Sequence, residues 1–226
     1  MTQDIIRDFE RVSPELVAQA SQFQAAILAD VAGRRGAMHG RIQALRPRMK
    51  AAGPALTVDV RPGDNLMIHA AIALARPGDI LVIDGKGDLT SALMGTIMMT
   101  ACQQLGLAGV VIDGAIRDTL ELDEMDFPVF AAGHNPNGPT KNIGGRIGHP
   151  VSCGGVTVHA GDFVLADADG GVVVEREKLA GLIPVAHKKV EDEAKRVAQI
   201  RQGNTAASWL QSSLRTAGVL KEGETL

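Results

Sequence analysis

Tyrosine is absent from this chain, and one tryptophan and five phenylalanines are its only aromatic residues. Binding of single-stranded nucleic acid through stacked bases needs aromatic platforms, so that class of function is excluded. Positive charge is not in surplus either: 23 Lys and Arg face 26 Asp and Glu, a formal net charge of −3. Without a basic field, no nucleic-acid partner is expected. Cysteine is scarce. Cys102 and Cys153 sit in no metal or redox spacing and read as two buried thiols of a reducing compartment. The opening MTQDIIRDFERV is charged throughout and lacks the apolar core of a secretion signal. No apolar run approaches the roughly 18 residues that would span a bilayer, so no membrane partner is expected. These absences together predict a soluble, cytoplasmic protein.

What the chain does have is glycine, 26 residues of it, set among Val, Ile, Leu and Ala. That mixture suits a turn-rich α/β protein with an aliphatic core. The length of 226 residues predicts one domain, 1–226, whose last part, from about 177, is a helical arm. Ser13-Pro14-Glu15 signals a helix start, and the helix is predicted to run to about Val31, with Gly33 ending it. Residues 41–54 read as basic and irregular. Ala55–Arg61 alternates as a strand, turned by Pro62-Gly63, and Asp64 caps an apolar helix through Ala75. DILVID (79–84) and GVVID (109–113) are short β-branched runs flanking a helical stretch from about Leu89 to Leu105. Strand–helix–strand in this order is the signature of a parallel crossover. A further strand is predicted at 128–131, loop or a short hairpin from Gly133 to Gly155, and β-structure around the turn at 167–170. A charged helix from about Glu177 to Gln202 closes the pattern, broken or kinked at Pro184.

The chemistry concentrates where GVVID ends, at Gly114-Ala115-Ile116-Arg117-Asp118. Ligands of parallel α/β folds gather beyond the carboxyl ends of strands. There Arg117 offers a planar clamp for an oxyanion, and Asp118 a hard oxygen ligand for a metal. Asp118-Thr119-Leu120-Glu121 reads equally as a helix cap, and one carboxylate can do both. Gly95 would cost a helix about 1 kcal/mol in its interior. Either it serves close packing, or the helix begins there and the amides of Thr96, Ile97 and Met98 face a carboxylate. Other candidates are plainer. Lys141 is a loop lysine that could reach the site, and His69 on its apolar helix reads as a core histidine. Asp84, Lys86 and Asp88 follow a strand end and are candidates to line a cleft. His134 and His149 lack zinc spacing, and Asp167–Asp169 reads as a surface turn.

The co-linear run GDNLMIHAA, PGDILVIDG, ALMGTIMMTACQQLGLAGVVIDGAIRDTLELDEMDFPVFAAG and VSCGGVTVHAGDFVLADADGGVVV resembles the RraA-like family. That family includes RraA and the 4-hydroxy-4-methyl-2-oxoglutarate and 4-carboxy-4-hydroxy-2-oxoadipate aldolases. The resemblance spans about Pro14 to Gly203 and is densest at Gly95, Arg117-Asp118 and Glu121. It implies an α/β fold, layered β/β/α and swivelling-domain-like, with a C-terminal helical arm. It also implies a class II pyruvate aldolase acting on a 4-hydroxy-2-oxo di- or tricarboxylic acid, with oxaloacetate decarboxylation as a companion activity. By the same resemblance Asp118 ligates Mg²⁺ or Mn²⁺, Arg117 contacts the 2-oxo acid substrate, and Gly95, Thr96, Ile97 and Met98 hold its carboxylate. Glu193 from a neighbouring subunit would reach the metal through water, in a homotrimer or homohexamer. The aldolases carry an acidic residue directly after the glycine, where this chain has Thr96. The RraA branch of the same family supplies the alternative: a non-catalytic regulator of an RNA-degrading endonuclease.

Overall fold

A computed structural model describes residues 4–226. Helix α1 (Pro14–Ala20) starts as its sequence predicts, with the Ser13 hydroxyl accepting from the Leu16 amide at 3.4 Å. It then stops, and α2 (Ala25–Val31) begins afresh instead of continuing it. Long-range bonds make the break. The Phe23 carbonyl accepts from Lys50 Nζ at 2.7 Å, and the Ala25 amide donates to Asp167 Oδ2 at 2.7 Å. Asp167 is thus buried in structural service, not a free surface turn.

The short β1 (Gln43–Ala44) precedes β2 (Ala51–Asp59), which begins earlier than its alternation suggested. Then follow α3 (Leu66–Ile72), β3 (Ile80–Met94), α4 (Thr96–Gln104), β4 (Gly109–Ile116), α5 (Thr119–Glu124) and β5 (Val129–His134). The expected parallel crossovers are present: β2, β3, β4 and β5 lie parallel and adjacent. Strands β6 (Arg146–Ile147), β7 (Val151–Cys153), β8 (Val156–Val158), β9 (Phe163–Asp167) and β10 (Gly170–Val174) follow. Among the described residues, eight strands form one sheet in the order β1-β5-β4-β3-β2-β9-β10, with β6 on β2, while β7 and β8 form a separate hairpin.

Period-two alternation sets the layers. Leu81, Ile83, Val110 and Ile112 face α3 and α4, packing on Ile68, Met99 and Cys102. Ile80, Val82 and Val111 face the other way, onto Val151, Cys153 and Val158 of the hairpin. The result is the β/β/α layering expected. A third cluster joins α1, α2, β9 and β10 to Leu179, Ile183 and Ala186. These belong to α6 (Arg176–Arg201), which passes through Pro184 as one continuous helix. The helix does not break there: the buried Ile183 and Ala186 on either side hold the chain helical, offsetting a proline cost of about 3 kcal/mol.

The chain divides into two compact units, one ending at Ala186 and the other comprising His187–Leu226. In the second, Arg196 donates to the carbonyls of Asn204, Thr205 and Ala206, fastening the turn that leads to α7 (Leu210–Thr216). Among the described residues no helix is long and apolar enough to cross a membrane.

Candidate active site

The stretch 89–94, predicted helical, is the end of a strand. Ala92, Leu93 and Met94 are buried, and Met94 pairs with Ile116 of β4. Helix α4 therefore starts immediately after Gly95, the second of the two arrangements the sequence allowed. The Arg117 amide donates to the Met94 carbonyl at 3.0 Å, so Gly95 and Arg117-Asp118 lie side by side at the carboxyl ends of neighbouring strands.

Asp118 occupies the N-cap position of α5, but its side chain does not cap that helix. Its backbone is left-handed, φ 60°, and Oδ2 instead accepts from the Thr96 amide at 3.0 Å. A Cβ at residue 95 would lie 2.2 Å from Asp118 Oδ2 and 3.1 Å from Arg117 Cγ. Space, not backbone conformation, demands glycine: φ at Gly95 is −148°. The expected amide cradle is thereby altered. The Thr96 amide is taken, and those of Ile97 and Met98 are the ones without partners inside α4. Arg117 Nε stands 3.7 Å from Asp118 Oδ1, and Nη1 lies so near Gly138 that a Cβ there would be 2.7 Å away.

The loop carrying Gly138 and Lys141 is set by Asp64. Oδ1 accepts from the Leu66 amide at 3.0 Å. Oδ2 accepts from the Thr140 hydroxyl at 2.6 Å and from the amides of Asn142 and Ile143 at 2.7 and 3.2 Å. Burial pushes this carboxyl up, but the four hydrogen bonds outweigh it and bring its pKa down to about 2. A cleft of about 160 Å³ results, lined by Asn65, His69, Gly95, Ile97, Met98, Arg117, Asp118 and Lys141. His69 is exposed at this cleft and is no core histidine. Asn65, unmentioned by any motif, is 3% exposed and lines it too. Its signal was faint: the GDN that opens an apolar helix.

Asp84, Lys86 and Asp88 are not among the lining residues. Lys86 Nζ pairs with Asp59 at 2.5 Å and Asp84 at 2.7 Å, and Asp88 holds Thr90. Asp84 also receives the Ser152 amide, and Asp113 receives Arg41 in two hydrogen bonds and the Gly154 amide. Burial opposes ionisation of Asp113, yet Arg41 and that amide hold its carboxyl below the usual range. These acids fasten the β7–β8 hairpin. A larger hollow of about 520 Å³ between Arg46–Lys50 and Asp126–Pro128 sits at the amino ends of β2 and β5, the wrong end for a ligand of this topology. Glu193 lies in the second unit, paired with Lys189 at 2.9 Å.

The donor set discriminates between metals. Among the described residues no three of His, Cys, Asp and Glu converge as a metal group. One carboxylate beside an open cleft suits a hard ion that keeps its waters and takes oxygens from substrate, such as Mg²⁺ or Mn²⁺. It does not suit a closed zinc site. Asp118, exposed and with Oδ1 not engaged by the Thr96 amide, fits that role.

A layered α/β fold with an Arg-Asp pair at its strand ends defines a class, and comparison with known proteins places the chain in it. The chain belongs to the RraA-like family: the Aldolase/RraA family model matches residues 16–174. It is 40% identical over 155 residues to a protein of Halalkalibacterium halodurans provisionally named a 4-hydroxy-4-methyl-2-oxoglutarate aldolase, covering 69% of this chain and 74% of that one. An Arabidopsis thaliana protein, provisionally named 4-hydroxy-4-methyl-2-oxoglutarate aldolase 3, is 33% identical over 146 residues, covering 62% and 87%. Among solved structures, Streptomyces coelicolor RraAS2, described as an unusual member of the RNase ES inhibitor RraA protein family, superposes with a TM-score of 0.76. The two are 29% identical, with 83% of this chain and 99% of that one covered.

Proposed function

We propose that this protein is a divalent-metal-dependent aldolase that cleaves a 4-hydroxy-2-oxo di- or tricarboxylic acid and releases pyruvate. The observation that carries the reading is the meeting of Arg117, Asp118, the start of α4 and Lys141 in one cleft. Three features there attract carboxylate, and one attracts a hard cation. Mg²⁺ or Mn²⁺ held by Asp118 would supply Lewis-acid stabilisation to negative charge developing on the 2-keto oxygen, worth several kcal/mol.

The chain's own residues do the rest. Arg117 and the amides of Ile97 and Met98 bind and orient the 2-oxo carboxylate, fixing the C3–C4 bond in the cleft. Lys141 meets the second carboxylate. The C4 hydroxyl gives its proton to water, the C3–C4 pair of electrons moves into the pyruvate enolate, and C4 becomes a carbonyl. Protonation at C3 then completes pyruvate. Loss of CO₂ from oxaloacetate generates the same enolate, so decarboxylation is a companion reaction. A neighbouring subunit of a trimer or hexamer would add Glu193 to the site.

Metal-stimulated release of pyruvate from 4-hydroxy-4-methyl-2-oxoglutarate, abolished by EDTA, is the expected result. Absence of release with Mg²⁺ and with Mn²⁺ overturns the reading. The likeness to RraAS2 would then favour the second one, a non-catalytic regulator of an RNA-degrading endonuclease.

A further inference from the structure

Asn65 occupies the N-cap position of α3, where an asparagine ordinarily bonds the first turn of its helix, yet its side chain makes no such bond. Asp64 has taken that duty through the Leu66 amide. The Asn65 carboxamide is turned inward instead. Nδ2 donates to the Leu93 carbonyl at 2.9 Å and touches Met98 Sδ at 3.2 Å. The contact with a carbonyl fixes the orientation, because exchanging Oδ1 and Nδ2 would set two acceptors face to face. Oδ1 is thereby left buried and without a hydrogen-bond partner, on a residue that lines the cleft with Arg117 and Asp118. An orphaned acceptor in so buried a residue calls for a donor from the ligand.

We infer that Asn65 Oδ1 accepts the hydrogen of the substrate's C4 hydroxyl, and so selects 4-hydroxy-2-oxo acids over 2-oxo acids that lack the hydroxyl. This rests on the aldolase reading. At neutral pH such a substrate carries carboxylates and a ketone, all acceptors, and its one donor is that hydroxyl. Among the residues lining the cleft, Arg117, Lys141 and the α4 amides supply donors, Asp118 is committed to the cation in this reading, and Asn65 carries a neutral acceptor without a partner. An amide oxygen takes no proton at neutral pH, so Asn65 binds and orients the alcohol without acting as a base.

The test compares 2-oxoglutarate with 4-hydroxy-2-oxoglutarate, which differ only in the hydroxyl, on the metal-loaded wild type and on Asn65→Leu. Binding is read as inhibition of initial-rate oxaloacetate decarboxylation, or as thermal shift if the protein does not turn substrate over. Wild type should prefer the hydroxylated acid by about tenfold, the scale of one hydrogen bond to a buried acceptor. Asn65→Leu should lose that preference and bind both acids alike. In turnover, the variant's KM for 4-hydroxy-4-methyl-2-oxoglutarate should rise about tenfold more than its KM for oxaloacetate. Equal loss on both substrates, or a hydroxyl preference that survives in Asn65→Leu, overturns the inference. Should the variant not fold, the wild-type preference decides, and its absence is equally fatal. Failure of the aldolase reading would show separately, as no pyruvate released by wild type.

Discussion

At the scale of single residues, Asp118 serves two masters, because one oxygen steadies the start of α4 and the other faces Arg117 across 3.7 Å. The substitution Asp118→Asn keeps an acceptor for the Thr96 amide and removes the charge. It should unfold within about 1 kcal/mol of wild type yet lose metal-stimulated turnover; activity near normal would remove Asp118 from the metal's ligands. Arg117→Lys keeps charge but not the two-pronged donor, and should lower kcat/KM at least about tenfold. Thr96 carries the departure from the aldolases. Its hydroxyl is buried and has no hydrogen-bond partner, so replacing it breaks no hydrogen bond of the fold. Thr96→Asp would place a second carboxylate beside Asp118, mutually repulsive alone and reconciled by a cation. Mg²⁺ titration should show about tenfold tighter binding, which needs only about 1.4 kcal/mol. Equal or weaker affinity would mean that residue 96 does not face the metal.

At the scale of elements, the working parts are a strand end, a helix start and a loop, held in register by Asp64. Its folded pKa of about 2 lies below the ordinary carboxylate value. A depressed carboxyl stabilises the fold above its unfolded pKa, near 4, and that contribution is lost as pH falls through about 2. Asp64→Asn should therefore cost about 2 kcal/mol near pH 7, and the gap to wild type should close in acid. Urea unfolding at about pH 7, 4 and 3 reads this directly. A gap that stayed constant with pH would show that the loss comes from shape and not from charge. Because the same carboxylate sets the Thr140–Ile143 loop, the variant's KM should rise through misplaced Lys141.

At the scale of the whole molecule, the question is whether one chain is the working unit. Ile97 and Leu120, each 84% exposed, belong to the same helix starts that form the cleft. Apolar side chains so placed suit a subunit boundary. If a neighbour's Glu193 completes the site, Glu193→Ala should impair turnover while the oligomer persists in sedimentation. Mixing the impaired Glu193→Ala with inactive Asp118→Ala protein should then raise activity above the sum of the two alone, since mixed interfaces contain intact sites. No recovery after verified subunit exchange would confine the site to one chain.

The sequence by itself determined the parallel crossovers and the placing of Arg117-Asp118 at a strand end, while at Gly95 it offered two arrangements between which only the structure chose. These follow from β-branched runs, turn residues and spacing, which are local and periodic. It also brought the family into view through a long co-linear match. What it left open depended on partners far along the chain. Residues 89–94 have a helix-compatible pattern and become strand because β4 pairs with Ala92 and Met94, and residues 91–94 are buried. The helix predicted over 14–31 divides because Asp167 and Lys50, remote in sequence, bind its middle. The capping signal at Asp118 was real in position and not in bonding, since the Thr96 amide outcompetes the helix for the carboxylate. His69, Asn65 and Lys141 come together only because Asp64 ties the loop at 140–143 to the start of α3. Periodicity reports which face of an element is apolar. Which polar side chains meet across elements is decided by hydrogen bonds between residues tens of positions apart, and only the tertiary structure holds those.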